Sequence, residues 1–329
     1  MPLVSLLASF ALAAQTSPEC VLSAGDQAWV DSSIRAWNYA ARNISGIPRV
    51  KSITAYLFDD RCLVTSTTAM NGGAARWTAR LHHGAIMLPG GETLMPQVIS
   101  FANSSDGHAF FVMSTPSVWR AAGKSGKGMT LEKLMTAVML HEGTHVAQVP
   151  TYGAAIGQIA QRYHLPDDFS DDTIQKEFQN DSEFASSVER ESQLLIQASE
   201  ARSRTEAARL VKSARDLMRA RYARWFTGKS AYQAEAEPVW LTLEGSGQWV
   251  AYQWAIDPHG GRVPAADIKP GFVTDKWWSQ REGFAAFMAL DRLGGSAWKR
   301  QAFHLGRKNV LQMLDEAVQA QIGKGSVRR

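Results

Sequence analysis

The sequence predicts an α+β fold, with a small, mainly antiparallel sheet followed by a larger helical part. Three observations predict it. Between residues 49 and 114, short runs rich in β-branched and aromatic residues alternate with turn-forming Asp, Asn, Gly and Pro. From Thr130 onward the apolar residues recur at helical spacing. Between these regions, residues 121–128 (AAGKSGKG) form a Gly- and Lys-containing linker. The organisation expected is a leader over 1–14, a mixed α/β subdomain over 15–120 and a helical subdomain over 121–329.

In chain order, residues 23–43 read as a helix with Trp29, Ile34 and Trp37 on its apolar side, stopped before Pro48. Residues 49–66 (RVKSITAYLFDDRCLVTS) read as two strands around a turn at Asp59-Asp60. Residues 77–88 (WTARLHHGAIML) read as extended and close at Pro89-Gly90-Gly91, and 98–103 with 108–114 flank a polar turn like a hairpin. Residues 171–224 predict two charged helices broken near 199–205. The second carries a basic run from Arg202 to Arg224, read as a solvated face. Residues 234–256 form a helix stopped by Asp257-Pro258-His259-Gly260-Gly261, and helices over 279–293 and 300–321 complete the chain.

Composition bounds the function. With 329 residues, 45% apolar and 20% charged, the chain has the profile of a soluble globular protein. A net charge of +4 gives no argument for a nucleic-acid partner, and none is expected. Residues 2–14 (PLVSLLASFALAA) are too few to span a bilayer and end in Ala11-Leu12-Ala13, an A-x-A cleavage pattern, although no Lys or Arg precedes them. Export to the periplasm or beyond is therefore expected, with cleavage near Ala13 or Ala14 and no membrane span. Cys20 and Cys62, the two cysteines, are expected to form one disulfide in that compartment.

The chemistry lies in residues 137–148 (AVMLHEGTHVAQ). His141, Glu142 and His145 spell H-E-x-x-H on a helix for which Thr130 is the expected N-cap, with Glu132 in the first turn. Residues four apart lie one turn above each other, so both imidazoles face one ion. Glu142 falls beside that face, where the general base of a zinc hydrolase belongs. A zinc held for structure alone, in an exported binding protein, is the competing reading. It has no use for a non-ligating carboxylate there and usually carries a fourth Cys or His, which is not evident. No G-x-S-x-G occurs, and neither cysteine suits a nucleophile or a metal ligand.

A third protein ligand is needed. Glu244 is the favoured acid because Gly245 and Gly247 follow it and let a second helix approach the metal helix closely, with Glu282 in reserve. Glu189 and Glu191 suit an outer shell orienting the histidines. Tyr252 is the expected oxyanion donor, with His259 behind it. His82 and His83 sit next to each other among strand-like residues and are read as packing or surface groups.

The H-E-G-T-H run at 141–145, the later Glu244-Gly245-Ser246-Gly247-Gln248-Trp249 and the segment 107–119 (GHAFFVMSTPSVW) together resemble the zincin metallopeptidases. The likeness is to the gluzincin branch, among its poorly characterised exported bacterial members, and covers roughly residues 47–256. Glu244 lies farther beyond His145 than the third ligand does in the best-known gluzincins. The resemblance implies peptide-bond hydrolysis of a peptide or protein substrate, with zinc on His141, His145 and Glu244 and with Glu142 as base. It also implies a sheet edge that lines up the substrate backbone, and 108–114 is the strand best placed in sequence for that.

Overall fold

The computed structural model describes residues 20–47, 54–66, 77–105, 107–126, 128–274 and 276–326. The expected leader over 1–14 lies outside the described residues. The fold is α+β, a mainly antiparallel sheet followed by a larger helical part.

Helix α1 (Ala24–Ala40) starts where the Ser23 hydroxyl accepts the Asp26 N–H at 3.1 Å. It widens into a π turn over Ala41–Ser45 and stops at Gly46, whose φ of 67° ends the helix at no Cβ cost. The strands follow as β1 (Thr54–Phe58), β2 (Cys62–Ser66), β3 (Trp77–Leu81), β4 (Ile86–Met87), β5 (Thr93–Leu94), β6 (Ser100–Ser105) and β7 (His108–Ser114). The main sheet has the order β3-β2-β1-β7-β6, antiparallel except for β1 beside β7, and β4 pairs with β5 separately. The β1–β2 turn is closed by Asp59, whose Oδ1 accepts the Arg61 and Cys62 N–H groups. Cys62 is disulfide-bonded to Cys20, tying the segment before α1 to the sheet.

The period of two along each strand divides the sheet's faces. Ala55, Leu57, Val64, Phe111 and Met113 join the large core shared with the helices. Phe58, Leu63, Phe110 and Val112 face the other way, under Ile86 and Leu88. The His82-His83-Gly84 turn separates β3 from β4. His82 is buried there, within hydrogen-bond distance of the Asp59 carbonyl, and serves packing, while His83 lies exposed at the surface.

After the sheet come α2 (Pro116–Ala121), α3 (Leu131–Gln148), α4 (Ala154–Tyr163), α5 (Thr173–Phe178), α6 (Ser182–Glu200), α7 (Arg204–Trp225), α8 (Gln233–Ile256), α9 (Ala265–Val273), α10 (Trp278–Leu293), α11 (Ala297–Arg300) and α12 (Val310–Ser326). The single helix expected over 300–321 is interrupted at Gly306, where φ is 57° and Thr151 packs too closely for any side chain. Helix α8 is the central element, apolar and buried around most of its circumference. At Gly245 it crosses α10 backbone to backbone, since a Cβ there would lie 2.3 Å from the Gly283 carbonyl carbon.

The basic run of α7 is largely neutralised. Lys212 and Arg219 pair with Asp216, Arg215 and Arg219 with Asp315, and Arg224 with Glu183. Arg221 instead points inward, fully buried, with Glu191 and Glu237 each at 2.7 Å and Glu282 at 3.7 Å. Among the described residues no helix is long and apolar enough to cross a membrane.

Candidate metal centre

Helix α3 begins as its sequence indicates, with the Thr130 hydroxyl accepting the Lys133 N–H and Glu132 in the first turn. Two and a half turns later it presents His141 and His145, whose Nε2 atoms are 2.8 Å apart. Helix α8 brings Glu244 against both, with Oε2 3.3 Å from His141 Nε2 and Oε1 3.2 Å from His145 Nε2. These side chains are the only such group found among the described residues with ligand atoms mutually within 4.8 Å. The set fits a metal. Metal bonds of roughly 2.0–2.1 Å at tetrahedral angles put neighbouring ligand atoms roughly 3.3–3.4 Å apart, close to both carboxylate contacts, while the two imidazole nitrogens stand closer at 2.8 Å.

Small residues make the approach of the two helices possible. A Cβ on Gly247 would sit 2.7 Å from His141 Nδ1, so the imidazole rests on bare α8 backbone. On the other side of α3, a Cβ on Gly143 would come within 2.6 Å of the Trp37 ring. In sequence both Gly245 and Gly247 read as facing the metal helix. The structure divides them, Gly247 facing α3 and Gly245 facing α10. Register between α3 and α8 is held by a reciprocal pair, in which Gln148 Nε2 donates to Ser246 Oγ at 2.9 Å and Ser246 Oγ donates to Gln148 Oε1 at 3.1 Å.

The electrostatics follow from burial. Burial opposes charge on the His145 imidazole, but the Glu244 carboxylate outweighs it, with smaller help from Glu142 and Asp171, and raises the pKa to about 9. Glu244 is pushed up by burial, yet the charge on His145 and hydrogen bonds from both histidines hold it well below the usual carboxylate range. Glu142, also buried, is raised by desolvation against the opposing pull of the two histidines, with Ser100 of β6 beside it in the cleft. Asp171 is lifted to about 7 by burial and by Glu244 and Asp172.

The triad opens into a cleft of about 800 Å³. Residues 100–104 of β6 form one wall, Val149 and the start of α4 another, and Asp171, Asp172, Trp240, Trp277 and Gln280 close the far side. Both β6 and β7 pack on α3, but the strand that lines the cleft and forms the sheet edge is β6, and not β7 as sequence order suggested. HAFFVMS is an unbroken apolar run, the mark of a strand flanked on both edges, and it lies between β1 and β6. The more polar SFANSS of β6 forms the outer edge.

Several candidates lie elsewhere. Tyr252 does not line the cleft, and its ring packs against Phe272 and Phe284 at 5.3 Å from each. Eight residues past Glu244 is roughly 80° beyond two full turns, which turns Tyr252 toward α9 and α10. His259 is exposed in the turn after α8. Glu282 and Glu191 are committed to Arg221, and Glu189 pairs with Arg281 at 2.9 Å, so none of them reaches the histidines. The acids that do stand at the cleft, Asp171 and Asp172, were missed. Their one sequence signal is an adjacent acid pair in the loop before α5. Searches against family models, curated proteins and solved structures found no match to this chain.

Proposed function

We propose that this protein is an exported zinc-dependent peptidase of the zincin kind. The observation that carries the reading is the convergence of His141, His145 and Glu244 at the head of a cleft, with Glu142 beside them and not among the converging atoms. Two imidazoles, one carboxylate and an open side form the donor set of a catalytic zinc site, whereas a structural site is closed by a fourth protein ligand. When bound, zinc supplies Lewis acidity that polarises a scissile carbonyl and acidifies a water.

The protein's own groups supply the rest. Burial makes the Glu142 carboxylate a stronger base than one in solvent. Glu142 takes the proton from the attacking water and passes it to the departing amine, so one carboxyl serves first as base and then as acid. Among the described residues β6 pairs only with β7, leaving its outer edge to align an extended substrate by strand addition. The Cys20–Cys62 disulfide supports an oxidising compartment.

The test is Glu142→Gln, which keeps shape and ligands while removing the base. Metal analysis should find zinc at the wild-type stoichiometry, while cleavage of a peptide mixture followed by mass spectrometry falls by roughly two to four decades. Undiminished cleavage would remove the proposal.

A further inference from the structure

Among the described residues the cleft is lined by four carboxylates, Glu142, Asp171, Asp172 and Glu244, and by no lysine or arginine. Glu142 and Glu244 stand beside the metal position and offset its double charge. Asp171 and Asp172 remain. Asp171 accepts a hydrogen bond from the Ser279 hydroxyl at 3.0 Å, while Lys176 and Lys276 act on Asp172 only through space. Behind Asp171 lies a chamber of about 10 Å³ shared with Glu237 and Glu282. Their Oε2 and Oε1 atoms are buried there without a hydrogen-bond partner. Arg221 serves Glu237 and Glu282 beyond that chamber, so the negative field at this end of the cleft comes from Asp171 and Asp172 themselves.

The walls suit the same kind of ligand. Trp240 and Trp277 present indole rings beside the acids. Lys276 Nζ already sits 4.2 Å from the centre of the Trp277 ring, so that ring takes a cation. Aliphatic stems of long basic side chains pack on such surfaces while their heads reach a carboxylate.

We propose that the cleft selects peptides bearing a positively charged amine or guanidinium group beside the scissile bond, held by Asp171 and Asp172 between Trp240 and Trp277. The position of the scissile bond rests on the peptidase reading above. The charge selection itself does not.

Binding to zinc-loaded Glu142→Gln protein separates the two. One labelled peptide scaffold is made with Lys, Arg, norleucine or Glu at a single position, each with a free or an acetylated amino terminus. The Lys and Arg peptides should bind about tenfold more tightly than norleucine, and Glu less tightly than norleucine. Adding Asp172→Asn should reduce the preference to near unity. If the preference for Lys and Arg survives acetylation, the recognised cation is the side chain; if the free-amine peptides bind alike and acetylation weakens all of them, it is the terminal amine. Affinities that neither the side-chain charge nor acetylation changes, a preference untouched by Asp172→Asn, or no peptide binding would each overturn the inference. Wild-type cleavage of the same peptides completes the comparison. Selective binding without cleavage defeats the peptidase reading and keeps charge selection, and cleavage without preference does the reverse.

Discussion

At Gly247 the lack of a side chain is part of the metal centre. His141 lies flat against that backbone, and an added Cβ would stand 2.7 Å from its ring nitrogen. Gly247→Ala should shift the imidazole and lower zinc affinity by about 10–100-fold, as losing an orienting partner does, with the fold retained. Competition with a chelator measures it. His145 makes a second prediction at this scale, for the metal-free protein. Its pKa is raised from 6.5 to about 9, so the stability from its charge is complete below pH 6.5 and lost as pH rises through about 9. Glu244, held low, is the other half of the same interaction and loses its share only in acid. Chelator-treated protein should therefore soften between pH 6.5 and 9, by on the order of a few kcal/mol, while zinc-loaded protein should not. Melting curves across that range check the difference. His141, Glu142 and His145 were legible in sequence because their geometry is local, one turn of one helix. Asp171 and Ser100 were not, since they reach the cleft from a loop and a strand with no spacing relation to the motif.

Elements were legible where the chain caps them. Thr130 reads as a cap and the first helix as starting at Ser23, and both hydroxyls accept a first-turn N–H, whereas the cap at Asp181, which starts α6, is passed over inside the helix expected from 171. What sequence order misjudged was which strand lies at the edge, because pairing is long-range while composition is local. The unbroken apolar run of β7 against the mixed β6 held that information. Helix α8 carries the main packing constraint. At its crossing with α10 a Cβ on Gly283 would lie 2.6 Å from the Leu241 carbonyl oxygen and 2.8 Å from Gly245 Cα. Gly283→Ala meets backbone rather than a movable side chain, so the helices must separate. A loss of about 1–3 kcal/mol is expected in denaturant unfolding. Zinc affinity should fall with it, because the same helix carries Glu244.

For the whole molecule, the question is what holds α8 where Glu244 meets both histidines. The sheet and α1 support α3 from one side, with Trp37 against Gly143 and Ser33 hydrogen-bonded to Thr136 at 2.8 Å. The opposite side is organised by Arg221. Read in sequence, it was one of eight basic residues on a solvated face, and nothing in the run marks it as the inward one. Its guanidinium donates to Glu191 of α6 and Glu237 of α8, with Glu282 of α10 alongside, so one side chain joins the helices that flank the metal centre. Three acids about one cation leave negative charge in excess. Burial, with the Glu191 carboxylate beside it, holds the Glu282 carboxyl far above its ordinary range despite Arg221. Replacing Arg221 by Met would leave the remaining carboxylates buried without their partner, at a cost of about 3–5 kcal/mol. Arg221→Lys should recover little, because one ammonium cannot span the two acids that the guanidinium fork reaches at once. Adding Glu191→Gln and Glu237→Gln to Arg221→Met should restore much of the loss, since the penalty lies in the stranded charges. Urea unfolding of this series, with and without zinc, reads the outcome. If Arg221→Met alone unfolds like the wild type, the helices around Glu244 are held by apolar packing and the cluster is dispensable.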